Sequence, residues 1–543
     1  MKLSKAIAKY IESCGVEYVF GIPSGNVASI YDALNDTKVK FVVTKNEAGS
    51  TYSAGKYSDL SKKLSCSILC GGVGITNAIN GIADAYINNI PMLVISGYAA
   101  SDSIGKGCVQ ELDTAPITES ITKYSKTITR KEDLLSELDK AVKLSMQDPK
   151  GPVHLSISMD LPTTEISDED LKTYVSEKID YNYDRENLNI AINMLNEAKK
   201  GVILVGRGAK GNNELIKNLS SKLGWYVATT PQGKSSVEGE FEYNIGNYGF
   251  NSTDFAQNYA DTEEIDCVLV LGSSLGESAT RNFNNALFND GNKVIQIDNN
   301  KKSLNKNHID RLKVYYELSE ALSIMNEKVI DKKVSLNKVG KLNNNYVKDH
   351  TGISVRKLAE MLPNVLNPST TYMCDIGEFM NYIYKYLFIP KEADFIASLN
   401  YGAMGNCVAG SIGAALSGNT EKYAVIVGDG SVFMNGSEIL TAKQYSLPIV
   451  YFVINNAKLN YVDQGMTFLF GRTIDGVVQD RISIKAIGEA AGIKSFEIND
   501  LTKLNEIKDE LYSCNEPIIV EIITDGSEKV AAADRFKTLK NKK

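Results

Sequence analysis

The sequence predicts an α/β protein of three doubly wound parallel-sheet domains, and three observations predict it. At 543 residues the chain is too long for one hydrophobic core. Short runs rich in Val, Ile and Phe end in glycine or polar residues and pass into helical spacing, the pattern of parallel sheets covered on both faces. That pattern appears in three blocks separated by two polar, charged stretches.

The chain opens on "MKLSKAIAKYIESCG", which places Leu3, Ile7, Ile11 and Cys14 on one helical face and stops at Gly15, a helix with a C-terminal glycine rather than a signal peptide. The strands of the first block follow as "YVFGIPSG", "FVVTKNE", "SCSILCGGVG" and "PMLVISGY", closing at "GPVHLSISMDLP". The stretch "EISDEDLKTYVSEKIDYNYDREN" has few core residues and reads as a linker. The second block holds "GVILVGRGAKG", "WYVATTPQGK", "CVLVLGSSLGE" and "KVIQIDNN", and a second polar segment, "NEKVIDKKVSLNKVGKLNNNYVKDH", leads to the third. There the strands are "TYMCDIGE", "DFIASLNYGAMG", "YAVIVGDG", "IVYFVINN" and "PIIVEIITDG". The domain limits expected from these breaks are 1–165, 186–326 and 351–530.

Composition narrows the function classes. Hydrophobic content of 43% and charged content of 23% are those of a globular protein, not a disordered or fibrous one. A net charge of -7 argues against a nucleic-acid partner, which needs clustered Lys and Arg, and the one basic run, "KTLKNKK", reads as a solvated end. No stretch approaches the ~18 apolar residues of a membrane span. The eight cysteines form no CxxC pair and read as reduced thiols, so a cytoplasmic protein is expected.

Chemistry enters at "AVIVGDGSVFMNGSE". A Gly-Asp-Gly turn alone is a weak signal, but here it ends an apolar run, is followed by the helical segment "GSEILTAKQYS", and precedes a second apolar run ending in Asn455 and Asn456. Two strands joined by a crossover helix lie parallel, so their carboxyl ends share an edge, the edge at which open α/β sheets bind ligands. Asp429 and Asn456, 27 positions apart, are expected side by side there. One carboxylate and one amide oxygen suit Mg²⁺ or Ca²⁺ and are too few to hold the ion alone; Mg²⁺ completes its shell with water and substrate phosphates. Gly428 and Gly430 lack a Cβ, so the backbone can approach a phosphate, and the next helix offers free N–H groups. A metal-bridged diphosphate is the physical reading.

GDG followed at this distance by NN resembles the motif of thiamine-diphosphate enzymes, and the chain is similar to the acetolactate synthase-like branch of that family over essentially its whole length. The resemblance names the blocks pyrimidine-binding, central and diphosphate-binding, in that order. It implies Mg²⁺ bound by Asp429, Asn456 and the backbone carbonyl of Lys458, with Gly377, Glu378 and Ser431 also on the cofactor's diphosphate side. It assigns to Glu47, in "FVVTKNEAGSTYSAGKY", the carboxyl that hydrogen-bonds the cofactor's pyrimidine N1′ so that the cofactor becomes its own base. In "NYGAMGNCVAGSIGAA" it makes Met404 the apolar wedge beneath the cofactor and the Gly402 carbonyl an acceptor for the 4′-amine. Gln110 of "CVQELD" matches a glutamine near the reacting carbon, and Gly25 of "GIPSGN" falls on an active-site loop. Because Glu47 and the metal residues belong to different domains, the resemblance implies a site shared across a homodimer or homotetramer interface.

Other motifs compete weakly. Gly206, Gly208 and Gly211 spell GxGxxG after "GVILV", but no acid stands ~20 positions on to meet an NAD ribose. The central domain of acetolactate synthases can hold FAD, which stays open here without being favoured. The three histidines, His154, His308 and His350, lie in no chemical motif, and the paired histidine of the family's pyruvate decarboxylases is absent. Where acetolactate synthases place an arginine for the acceptor's carboxylate, "LGSSLGESATRNF" has Ser278, with Arg281 three residues later. A tryptophan of their acceptor pocket is replaced near Gly465, and "DIGEFM" puts Glu378 and Phe379 in place of the usual Gln and His, an extra carboxylate that is unfavourable unless it faces away. The expected function is a decarboxylase/carboligase for pyruvate or a related 2-oxo acid with a carbonyl acceptor. Acetolactate synthase proper is the alternative within the class, and a non-catalytic cofactor-binding partner or sensor the alternative outside it.

Overall fold

The computed structural model describes residues 1–167, 171–176, 182–307, 309–339 and 351–529. The expected α/β class holds: the described chain forms three six-stranded sheets in which every strand pairing is parallel. The first sheet holds β1 (Tyr18–Gly21), β2 (Lys40–Val43), β3 (Ser65–Leu69), β4 (Met92–Tyr98), β5 (Tyr124–Ile128) and β6 (Pro152–Ser158), in the order 2-1-3-4-6-5. The second holds β7 (Gly201–Val205), β8 (Tyr226–Thr229), β9 (Asn244–Asn247), β10 (Cys267–Leu271), β11 (Lys293–Asp298) and β12 (Leu312–Tyr315), in the order 12-11-10-7-8-9. The third holds β13 (Thr371–Cys374), β14 (Asp394–Ala397), β15 (Tyr423–Gly428), β16 (Ile449–Asn455), β17 (Lys494–Ile498) and β18 (Ile518–Ile523), in the order 14-13-15-16-18-17.

The first and third sheets therefore share one winding, and the central sheet has the other common one, in which two three-strand halves run outward from the middle. Strands β3, β4, β10 and β16 are buried along their whole length, as continuous apolar runs require when helices cover both faces. The opening helix runs Leu3–Ser13 and ends with Gly15 at φ 75°. The two polar stretches are less free than a linker reading implies. Ile166, Leu171 and Tyr174 pack against the first domain's core, and Leu336 and Val339 against the central one. Residues 168–170, 177–181 and 340–350 of these stretches, His308 and the basic tail lie outside the described residues. Among the described residues no helix is long and apolar enough to cross a membrane.

One hydrophobic core spans the first and third domains: Phe20, Val42 and Tyr57 belong to the same cluster as Met373, Val408 and Ile412. Its centre is the crossing of helix Glu47–Ser61 with helix Asn406–Leu416. The two backbones approach so closely that a Cβ on Gly413 would lie 1.7 Å from the Ser53 carbonyl oxygen, and Ser53 Oγ donates to the Ala409 carbonyl at 2.9 Å. The glycines of "VAGSIGAA" thus serve helix packing. All eight cysteines are free thiols. His154 is buried within β6, where Ser96 and Thr118 hydroxyls meet its two ring nitrogens at 2.9 Å and burial pushes its pKa down to about 3, so it stays neutral in the core.

Candidate active site

Strands β15 and β16 are neighbours with Gly428 opposite Ile454, so the turns that follow them emerge at one edge. Asp429 is the first residue of helix Asp429–Asn435, and its side chain joins the two turns: Oδ1 accepts from Gly430 N and Oδ2 from Ala457 N, both at 2.9 Å. The carboxylate is only 8% exposed, and burial raises its pKa against these two donors. Of the paired asparagines, Asn455 turns inward, its Nδ2 donating to the Ile482 carbonyl and to Glu521. Asn456 is half-buried at the edge, its Oδ1 accepting from Lys458 N at 3.0 Å. Leu459 N donates to the Val477 carbonyl and Gln479 N to the Ala457 carbonyl, which fixes the strip carrying the Lys458 carbonyl. The Lys458 ammonium is drawn away to Asp463 at 2.5 Å.

The glycines of the turn are matched to specific neighbours. A Cβ on Gly430 would lie 3.3 Å from the Met404 methyl, so the candidate wedge rests against the Asp429 turn itself. A Cβ on Gly428 would lie 3.3 Å from the Phe379 ring, and one on Gly377 only 2.3 Å from it. Gly402 and Gly405 have φ of 76° and 80°, the left-handed region in which glycine is unstrained. Beneath this surface lies a residue that the sequence reading missed. The fully buried Asp375 accepts from Ile376 N, Gly405 N and Cys407 N at 2.6, 3.0 and 2.9 Å, and Ser431 Oγ lies 3.3 Å away. It ties the end of β13 to the starts of the Met404 and Asp429 helices, and Ser431 is turned toward it. The only sequence signal was its place at the end of an apolar run.

Glu378 does not face away into solvent. It is 5% exposed, and burial, with Glu528 nearby, pushes its pKa up to about 8 although Tyr382 and Asn460 hydrogen-bond it. A carboxyl with that pKa holds its proton at neutral pH, so this position carries no negative charge there. Its folded pKa is raised above the ordinary 4.5, so the native state holds the proton longer than the unfolded chain does. Stability is therefore expected to fall as pH rises from 4.5 to about 8. Glu378→Gln should remove that fall, which thermal melts on either side of the window will show.

In the first domain, Glu47 is the first residue of its helix, with Asn46 as N-cap accepting from Ala48 N at 2.8 Å. Asn77 Nδ2 donates to Glu47 Oε2 at 3.0 Å. Gly25 begins a short 3₁₀ turn, and the next residue, Asn26, donates to Gln110 Oε1 at 3.2 Å and accepts from Ser24 Oγ at 2.7 Å. Gln110 has φ 61°, and the absence of a Cβ on Gly71 and Gly97 makes room for Asn26. Gly25 and Gln110 thus belong to one cluster and Glu47 to another, both at the carboxyl edge of the first sheet. Ala403 packs against Ala48, Tyr52 and Ala409, which sets the Met404 segment beside the Glu47 helix within the chain.

The central domain meets the other two in a cleft of ≈ 830 Å³, lined by Asn88, Arg207, Ser278, Asp298, Asn400 and Tyr461 among others. Gly206 and Gly208 bring their backbone onto the Gly272 carbonyl, so these two glycines of GxGxxG serve turn-on-turn packing. An acid does reach the cleft, from β11 instead of the expected offset: Asp298, with its pKa pushed up to about 6 by burial. Arg281, the arginine nearest to the acceptor position, is held at 2.6 Å by Asp261 and lies over the Tyr248 ring. Gly465 is buried within helix Asn460–Phe470.

Three family models match the chain in sequence. They are thiamine pyrophosphate enzyme, N-terminal TPP binding domain, over residues 1–117; the central domain of the same enzymes over 188–325; and their C-terminal TPP binding domain over 375–522. The chain belongs to the thiamine pyrophosphate enzyme family. Among curated members it is 28% identical to the acetolactate synthase large subunit of Lactococcus lactis subsp. lactis (strain IL1403), over 97% of this chain and 93% of that one. It is 26% identical to a probable acetolactate synthase large subunit of Methanocaldococcus jannaschii, again over 97% and 93%. It is 23% identical to acetolactate synthase isozyme 1 large subunit of Escherichia coli (strain K12), over 96% and 94%.

The donor set fits the family's cofactor. Among the described residues no three His, Cys, Asp or Glu side chains gather as a self-sufficient metal centre would need. One carboxylate, one amide and one backbone carbonyl on two adjoining turns suit an ion whose remaining ligands are phosphate oxygens and water.

Proposed function

We propose that the chain is a thiamine-diphosphate- and Mg²⁺-dependent decarboxylase/carboligase acting on pyruvate or a related 2-oxo acid. The observation that supports this most strongly is the bridging of the β15 and β16 turns by Asp429, beside Asn456, in a chain whose first domain offers Glu47 at a helix start. When bound, thiamine diphosphate supplies the carbon that adds to the oxo acid and stabilises charge as CO₂ leaves.

The chain's own residues bind, orient and move a proton. Asp429, Asn456 and the Lys458 carbonyl would hold the ion, with Gly428, Gly430, Gly377 and Ser431 around the phosphates. Protonated Glu378 adds no repulsion there. Met404 would wedge the two rings toward each other, the Gly402 carbonyl would accept from the 4′-amine, and Glu47 would exchange a proton at N1′. Gln110, held by Asn26, would lie near the reacting carbon with the Gly25 loop. The assembly proposed is a cytoplasmic homodimer or homotetramer in which first-domain and third-domain residues of different subunits complete each site.

Acetolactate synthase proper is the second reading, favoured by the names of the relatives. Ser278 and the commitment of Arg281 to Asp261 speak against it, since neither leaves a free cation for an acceptor carboxylate. A non-catalytic binder would have no use for Glu47. Purified protein given pyruvate, Mg²⁺ and thiamine diphosphate is expected to release CO₂ only when both cofactors are present. Absence of CO₂ with every acceptor in a panel of aldehydes and 2-oxo acids would remove pyruvate from the proposal.

A further inference from the structure

Helix Asp429–Asn435, which begins at the candidate metal site, is followed directly by helix Glu438–Gln444. Glu438 is fully buried. Its Oε1 accepts from both Lys45 N and Asn46 N at 2.9 Å, and its Oε2 from Thr441 Oγ1 at 2.7 Å. Those two amides belong to the turn immediately before Glu47. The rest of the helix grips the same turn: Lys45 Nζ donates to Gln444 Oε1 at 2.7 Å, and Val43 N to Tyr445 Oη at 2.8 Å. Gly49 leaves room for the carboxylate, since a Cβ there would lie 2.3 Å from Glu438 Oε1.

A buried carboxylate is costly unless fully hydrogen-bonded, and here two of its three donors are backbone groups of another domain. Nor does the glutamate helix need this acid in order to start, because Asn46 already caps it. What Glu438 fixes is the path of the chain into residue 47. We infer that Glu438 is a positioning residue that aims the Glu47 carboxyl by clamping the Lys45–Asn46 amides. Resting on the proposed role of Glu47, the inference ties the helix pair that leaves the metal turn to the proton-exchanging residue.

The test compares wild type with Glu438→Ala, Glu438→Gln and Gly49→Ala by two measurements. One is hydrogen exchange of the Lys45 and Asn46 amides in cofactor-free protein. The other is the rate of deuterium exchange at C2 of thiamine diphosphate bound with Mg²⁺, alongside cofactor affinity and melting temperature. Glu438→Ala is expected to expose both amides and slow C2 exchange about 10- to 100-fold, the cost of a misplaced catalytic group, with cofactor affinity little changed. Glu438→Gln keeps an acceptor oxygen and should recover most of the rate. Gly49→Ala, which favours the helix itself, should reproduce the loss by displacing the carboxylate. Lower melting temperature with unchanged C2 exchange in Glu438→Ala and Gly49→Ala would overturn the inference, leaving a purely structural role. Wild-type protein that protects the two amides yet leaves C2 exchange at its solution rate would instead overturn the role of Glu47 on which the inference stands.

Discussion

Glu47→Gln is expected to bind thiamine diphosphate nearly as well as wild type and to lose turnover by about 10²- to 10⁴-fold, the usual contribution of a positioned proton-transfer group. The substitution keeps volume and shape. A glutamine oxygen still accepts from Asn77 Nδ2, Asn46 still caps the helix, and the Glu438 clamp on Lys45 and Asn46 does not involve the residue 47 side chain. What an amide cannot do is give up and regain a proton at N1′. Calorimetric titration of the cofactor and steady-state CO₂ release measure the two halves of the expectation separately. Equal activity in both proteins would refute the role given to Glu47, and a parallel loss of binding and turnover would show it to be a binding residue only.

Asp429→Ala is expected to weaken Mg²⁺-dependent cofactor binding by about 10²-fold or more, the scale on which truncating one partner of a buried charge pair acts. Two effects add. The ion would lose the one charged ligand of the proposed set, and the Gly430 and Ala457 amides lose the acceptor that holds the two turns together. The second effect alone costs about 1–3 kcal/mol for the Gly430 amide left unpaired, Ala457 N keeping Asn455 Oδ1 at 3.2 Å, so some loss of melting temperature is expected without any cofactor. Asp429→Asn separates the two. It retains an acceptor for one amide but not the charge, and should melt closer to wild type while binding Mg²⁺ poorly. Unchanged Mg²⁺ dependence in both variants would move the metal site elsewhere.

The sheets were legible because parallel strands buried on both faces are written as unbroken apolar runs, and "YAVIVGDG" and "IVYFVINN" are such runs joined by a crossover. From that topology the adjacency of Asp429 and Asn456 follows without any long-range information. The crossover itself was read as one segment, whereas the chain bends at Gly436 into two short helices, Asp429–Asn435 and Glu438–Gln444. That bend matters, since it brings Glu438 to the Lys45 turn across 393 positions of sequence, a contact that a single sequence does not encode locally. Asp375 was passed over for the same reason: its partners come from the end of its own strand and from two later helices. The Glu378 position was read as an extra charge because its protonation depends on burial among Tyr382, Asn460 and Glu528, elements far apart in the chain. For Arg281 only its place three residues after Ser278 was legible, and the fold pairs it with Asp261.

The central claim is that the edge formed by β15 and β16 grips a diphosphate through a divalent ion. Its most direct measurement is titration of thiamine diphosphate into wild-type protein with Mg²⁺ and again with the ion chelated. Saturable binding at one cofactor per chain that disappears on chelation and returns when Mg²⁺ is restored is the predicted result. Binding of equal strength in both conditions, or in neither, would contradict it.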